Sequence, residues 1–274
     1  MGERSRSSVN GLEWFGDELE EALRHKGATQ QALADFVGYK PPYVTKAKKG
    51  QALPSPEFAS GCDRFFNTSC YFARLRARIA QGGHPDWFIP YLRLEEKASQ
   101  VLDFSPFLIM GILQTSDYAE ALFRAAHPRD GDDMIREKVS LRLQRRSVLE
   151  RPSPPLLWVI LDESCLCRRV GSRSVMREQL EHLASMAQTP VVVLQVLTFD
   201  SGAPAAAEPF TLLTFDEVDQ PPVLYSEAQG LGQVLDSASV VATGVERYER
   251  LRANALSPEQ SLRKLHEAIK EYAE

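Results

Sequence analysis

The stretch TQQALADFVGYKPPYVTKAKKG, running from Thr29 to Gly50, decides how the chain is read. Thr29 has a side-chain oxygen able to take a free N–H of the following turn, so a helix is expected to start there. Ala32, Leu33, Phe36 and Val37 recur at three- and four-residue spacing and predict its buried face. Gly38 stops it. Pro41 and Pro42 are tolerated in a first turn, where a missing N–H costs nothing, so another helix is expected from Pro41 to about Lys49, closed by Gly50. Two helices of roughly eight to ten residues joined by a tight glycine-containing turn, the second of them basic, make a helix-turn-helix.

Upstream, Leu12, Phe15, Leu19, Ala22 and Leu23 place an apolar stripe on a helix ending near Gly27. Downstream, Ser55, Pro56 and Glu57 start a helix that carries Phe58, Cys62, Phe65 and Phe66 inward. The charge follows the same division. Residues 1–80 hold twelve Lys/Arg against nine Asp/Glu, a net +3, whereas the remainder holds twenty against twenty-eight, a net −8. Between Phe36 and Gly50 stand Lys40, Lys46, Lys48 and Lys49 with no acidic residue among them. A small helical bundle that docks a protein partner is the competing reading, and four lysines on the predicted recognition element favour nucleic acid over it.

Gly82-Gly83 marks a boundary between domains of residues 1–82 and 83–274. After it, Trp87, Tyr91, Leu94 and Ala98 predict a linking helix that packs on the second domain. Residues 111–119 read as an extended piece running into a Thr-capped helix through Leu122 and Phe123. A further helix, about 133–150, carries Arg142, Arg145 and Arg146 on its exposed face. Residues 156–161, LLWVIL, and 191–197 flank a helical stretch near 174–188, a β-α-β unit with parallel strands. Residues 210–215 and 223–226 add a hairpin, so the sheet is mixed. Two helices close the chain, about 238–253 and 258–272, the second opened by a capping box at Ser257 and Gln260. The fold class expected is thus multidomain: an all-α N-terminal helix-turn-helix bundle followed by an α/β domain with a mixed sheet.

With 274 residues, 43% of them hydrophobic, the chain can bury two cores. The apolar run at 156–161 falls far below the roughly 18–20 residues of a membrane span, and the opening MGERSRSSVNG has no apolar signal core. A cytoplasmic, nucleoid-associated protein with no membrane partner is expected. Cys62, Cys70, Cys165 and Cys167 match neither a zinc spacing nor a disulfide framework, and the five histidines are not at ligand spacing, so no metal and no cofactor is expected. Asp162-Glu163 ends one predicted strand and Asp200-Ser201-Gly202 follows the next. They read as caps and turn formers, or as the walls of a shallow acidic ligand crevice, and no catalytic residue is assigned.

Thr29-Gln30-Gln31-Ala32-Leu33-Ala34, then Gly38, Gly50 and Pro54-Ser55, resemble the XRE (Cro/cI-type) helix-turn-helix pattern over residues 11–70. The resemblance implies that Gln30 contacts phosphate, that Pro41, Pro42, Tyr43 and Lys46 face the major groove, and that Lys49 contacts the backbone; Thr45, and Lys40 and Lys48 from the basic cluster, are the further expected DNA-binding residues. The chain departs from the pattern at Lys40, Ala47 and Lys48. Residues 85–272, through Gly111-Ile-Leu-Gln-Thr115, Asp117-Tyr118-Ala119, Leu161-Asp162-Glu163, Gln179–Leu183, Pro209–Leu213 and Ala255–Glu259, resemble the C-terminal domain of actinobacterial XRE-family, antitoxin-like regulators, including the WhiJ type. This implies a transcriptional regulator, a homodimer on an imperfect palindrome of double-stranded DNA, whose second domain binds a small acidic protein partner or a ligand. An antitoxin that chiefly neutralises a partner protein, and a DNA-anchored hydrolase, are the alternatives.

Overall fold

Residues 11–51, 54–80, 85, 87–217, 219–228 and 230–273 are described by a computed structural model, in which the chain divides into two units, Met1–Gly83 and His84–Glu274. The Gly82-Gly83 pair lies outside the described residues. The first unit is helical: α1 (Gly11–Lys26), α2 (Gln30–Val37), α3 (Pro41–Lys48), α4 (Pro56–Phe66) and α5 (Tyr71–Ala80). Thr29 Oγ1 accepts from Ala32 N at 3.1 Å and caps α2, which ends at Gly38 with a φ of 73° that a Cβ would strain. Ser55 caps α4 in the same way through Phe58 N. Asp63, buried near the end of α4, accepts from Phe72 N and Ala73 N at 2.9 Å each and so satisfies the open start of α5.

Phe15, Leu19, Leu33, Val44, Phe58 and Phe72 form the core of this unit. The buried face of α2 is narrower than its spacing predicts. Leu33 and Ala34 are buried and Val37 half-buried, but Ala32 faces solvent and Phe36 is 56% exposed, its ring lying 5.2 Å from that of Phe65. A helix of eight residues has barely two turns, and one face cannot take every apolar side chain it carries. Phe65 and Phe66 of α4 are likewise only half-buried. Helix α1 meets α3 at Gly16, where a Cβ would stand 2.2 Å from the Lys48 carbonyl oxygen.

The second unit runs α6 (Ile89–Glu95), β1 (Gln100–Ser105), α7 (Ser116–Ala126), α8 (Asp132–Gln144), β2 (Leu156–Asp162), α9 (Ser164–Cys167), α10 (Arg173–Met186), β3 (Val192–Leu197), β4 (Phe210–Thr214), β5 (Val223–Ala228), β6 (Leu231–Leu235), α11 (Ala238–Asn254) and α12 (Pro258–Ala273). The sheet order is β3-β2-β1-β4-β5-β6, with β1, β2 and β3 parallel and the other neighbours antiparallel. The architecture is therefore an all-α unit followed by an α/β unit with a mixed sheet. Strand alternation sends Val101, Leu157, Val159, Leu194 and Val196 into a core with Leu180, Leu183 and Leu265, while Phe104, Ile160, Leu212 and Leu224 meet Val241, Tyr248 and Leu251 on the opposite face. The capping box at α12 is reciprocal: Ser257 N donates to Gln260 Oε1 at 3.0 Å and Gln260 N to Ser257 Oγ at 3.2 Å. Between α11 and α12 the chain binds the outer edge of β3, with Leu256 N donating to Val196 O and Val196 N to Ser261 Oγ, each at 2.9 Å.

Several expectations for this unit are corrected. The linking helix is shorter than Trp87–Ala98, because the chain turns into β1 directly after Ala98, which is fully buried. The piece before α7 is a 3-10 turn over Gly111–Leu113, not extended backbone. Arg142, Arg145 and Arg146 do not form a solvated face. Helix α8 tightens into a 3-10 turn at Arg145, and the three guanidinium groups close around the Gly111–Gln114 segment. Arg142 donates to Gln114 Oε1 at 3.0 Å, and Arg146 to Gln114 O at 2.6 Å. Arg145 grips Glu95 through two bonds of 3.0 and 2.8 Å beneath the Phe88 and Tyr91 rings. Gly111 has no Cβ where one would stand 2.9 Å from Arg145 Nη1.

Candidate nucleic-acid interface

The α2–turn–α3 segment is fastened from inside. Gln30, the first residue of α2, donates its side-chain Nε2 to Pro41 O at 3.1 Å and to Thr45 Oγ1, and Thr45 Oγ1 donates to Pro41 O at 3.1 Å. These three residues are brought together as a bracket between the two helices. With both Nε2 protons directed at α3, the Gln30 side chain has only its acceptor oxygen left over, and a phosphate, itself an acceptor, gains nothing from that. Among the described residues the backbone N–H groups of Gln30 and Gln31, ahead of the capped Ala32 N, are the donors remaining there.

Tyr43 is also turned to internal partners. Its hydroxyl accepts from Ser55 N at 2.8 Å, and its ring packs 4.5 Å from that of Tyr39 and 5.2 Å from that of Phe58. Tyr39 joins the same knot through a 2.7 Å bond to Ser55 Oγ. Val44 and Ala47 are buried. Lys48 bonds Glu20 of α1 at 3.0 Å, which accounts for a cation at that position. The lysine cluster therefore splits. Lys40, Lys46 and Lys49 are exposed and have no ion pair among the described residues, and Pro42 is exposed one helical turn before Lys46. Of the nine residues singled out in the sequence, Lys40, Pro42, Lys46 and Lys49 thus share solvent, Pro41 and Thr45 are half-buried beside Gln30, and Tyr43 and Lys48 are tied to neighbouring helices.

This arrangement offers three exposed ammonium groups and one apolar ring on and at the ends of a helix slim enough to enter a major groove about 12 Å wide. The Lys48–Glu20 pair and the Tyr39–Tyr43–Ser55 knot were not foreseen in the sequence. The spacing of Tyr39 and Tyr43, four apart across a helix start, is the signal that was present for the second.

The strand-end carboxylates of the second unit are engaged elsewhere. Asp162 Oδ1 accepts from Ser164 N at 2.9 Å, turning the chain into α9. Glu163 pairs with Lys264 at 2.7 Å and accepts from Phe199 N at 2.8 Å. Burial works against its charge, yet the Lys264 ammonium and the Phe199 amide outweigh burial and hold the carboxyl below its ordinary range. Among the described residues no group of three or more His, Cys, Asp or Glu is arranged to hold a metal ion, and no helix is long and apolar enough to cross a membrane.

A family model described as a domain of unknown function (DUF5753) matches residues 88–267, beginning beyond α5. No curated protein and no solved structure matches the chain.

Proposed function

The chain belongs to the DUF5753 family through the larger part of its length, and from the N-terminal unit that precedes the matched region we propose that it is a sequence-specific, DNA-binding transcriptional regulator of the XRE type. The observation that carries this reading is the trio Lys40, Lys46 and Lys49, exposed and without an ion pair among the described residues, on α3 and its two flanks, beside a Pro42 ring suited to a thymine methyl. Phosphates would take the lysines, giving affinity that falls with salt. The internal bracket of Gln30, Pro41 and Thr45 supports α3 as a rigid element, which is what groove recognition needs. Two copies, in a homodimer, would read an imperfect palindrome, with the second unit setting their separation and taking the small acidic protein or ligand that adjusts affinity.

The test is enrichment of genomic DNA by the tagged protein against a Lys46→Ala/Lys49→Ala version, followed by salt titrations on the promoter recovered. A discrete set of promoters is expected only with the parent chain. Lys49→Ala is expected to flatten the slope of log K against log salt by about one unit, and Lys48→Ala, already paired with Glu20, to leave it unchanged. If neither version enriches DNA while one protein co-purifies with both, the first unit is a docking module and the antitoxin reading replaces this one.

A further inference from the structure

The face of the sheet covered by α11 is not filled along its whole length. Between α11 and strands β4 to β6 lies a cavity of about 400 Å³, within the range of small-molecule sites. Its apolar wall is Phe210, Leu224 and Leu235 from the strands and Val240 from the helix. Helix and sheet approach closely at Gly244, where a Cβ would stand 2.3 Å from Leu224 Cδ1. The cavity is the gap beside that contact.

Two opposite charges line it: Arg247 from α11 and Glu208 from the segment before β4. Helix α11 pairs its other arginines internally, Arg250 with Glu246 at 2.6 Å and Arg252 with Glu249 at 2.5 Å. Arg247 has no such partner among the described residues, and neither has Glu208; the two do not pair with each other. Ser226 also lines it and adds a hydroxyl.

We propose that this cavity binds a free apolar α-amino acid, its carboxylate on Arg247, its ammonium on Glu208 and its side chain against Phe210, Leu224 and Leu235. A simple fatty acid would set its carboxylate in the field of Glu208, and a simple amine would meet Arg247. A neutral hydrophobe would cover the wall and leave both exposed charges without a partner. A small zwitterion with an apolar body satisfies the charges and the wall together. The site lies wholly within the second unit, so its occupancy is measured without DNA and stands or falls apart from the regulator reading.

The experiment is calorimetric titration of the full-length chain with L-phenylalanine and L-leucine, beside 3-phenylpropanoate, which lacks the amine, and 2-phenylethylamine, which lacks the carboxylate. Hydrogen exchange of residues 206–212 and 238–247 locates the effect. Saturable binding of at least one amino acid is expected, with protection of both segments. Each analogue, and each of Arg247→Gln and Glu208→Gln, is expected to weaken binding about tenfold or more. Both positions are exposed, and unchanged melting of the variants checks that they fold. The proposal is overturned if neither amino acid binds, if 3-phenylpropanoate binds as tightly as phenylalanine, if either variant binds like the parent, or if the protection falls elsewhere.

Discussion

Asp103 stands in the middle of β1, hydrogen-bonded on one side to β2 and on the other to β4, its carboxyl accepting from Ser105 Oγ at 2.6 Å and Thr211 Oγ1 at 2.8 Å. Burial pushes this acid up to about 6, against the pull of the two hydroxyls and of Arg145. The folded chain therefore holds the proton more tightly than the unfolded chain does. Its contribution to stability is full below the ordinary aspartate value of 3.8 and is lost as the pH rises from there to about 6. Asp103→Asn keeps the shape and removes the titration. Melting temperatures of the variant are expected to vary less with pH across that window, and at pH about 8 the variant should exceed the parent by on the order of 2 kcal/mol. Parallel melting curves for the two proteins would mean that the proton is held elsewhere. Asp103 also explains why β1 was illegible in the sequence: Gln100, Asp103 and Ser105 interrupt the apolar alternation of a strand that the sheet nonetheless places between two neighbours.

At the scale of elements, close approach decides the first unit. Gly16 lets α1 lie against the last turn of α3, and the obstacle to any side chain there is the backbone carbonyl of Lys48, which no rotamer change removes. Gly16→Ala is expected to destabilise this unit by about 1–3 kcal/mol, read as a lower melting temperature, and, on the regulator reading proposed above, to weaken DNA binding by displacing α3. An alanine variant that melts like the parent would show that the two helices part without cost. Most elements could be read from periodicity and caps: Thr29, Ser55, Thr115 and Ser257 all cap the helices they foretell. The β-α-β unit, the hairpin of β4 and β5 and the two closing helices were equally legible, since their patterns are local. What escaped depends on partners distant in sequence. Arg145 looks like surface charge until Glu95, fifty positions away, is folded against it. Tyr43 looks like a base reader until Ser55 N reaches its hydroxyl. Strand β6, short and with Gln233 in its middle, is specified mainly by β5 beside it.

At the scale of the whole molecule, the two units have separate cores, one around Leu19, Val44 and Phe58, the other around Leu157, Leu180 and Leu265. A fragment of residues 84–274 is accordingly expected to fold alone, with cooperative melting and strand-rich circular dichroism; a fragment that melts without a transition would mean that the sheet needs the helical unit. The division also separates charge, with the basic excess on the first unit and the acidic excess on the second, so that an anionic partner is favoured by the first unit and disfavoured by the second. Finally, Leu256 and Ser261 occupy both the carbonyl and the amide of Val196 along the outer edge of β3. An edge plugged at Val196 cannot carry a further strand in register past that point, so among the described residues β6 is the more open end of the sheet. Two such sheets meeting through β6 would bury the more open end of each, so association through strands favours a pair over a fibre.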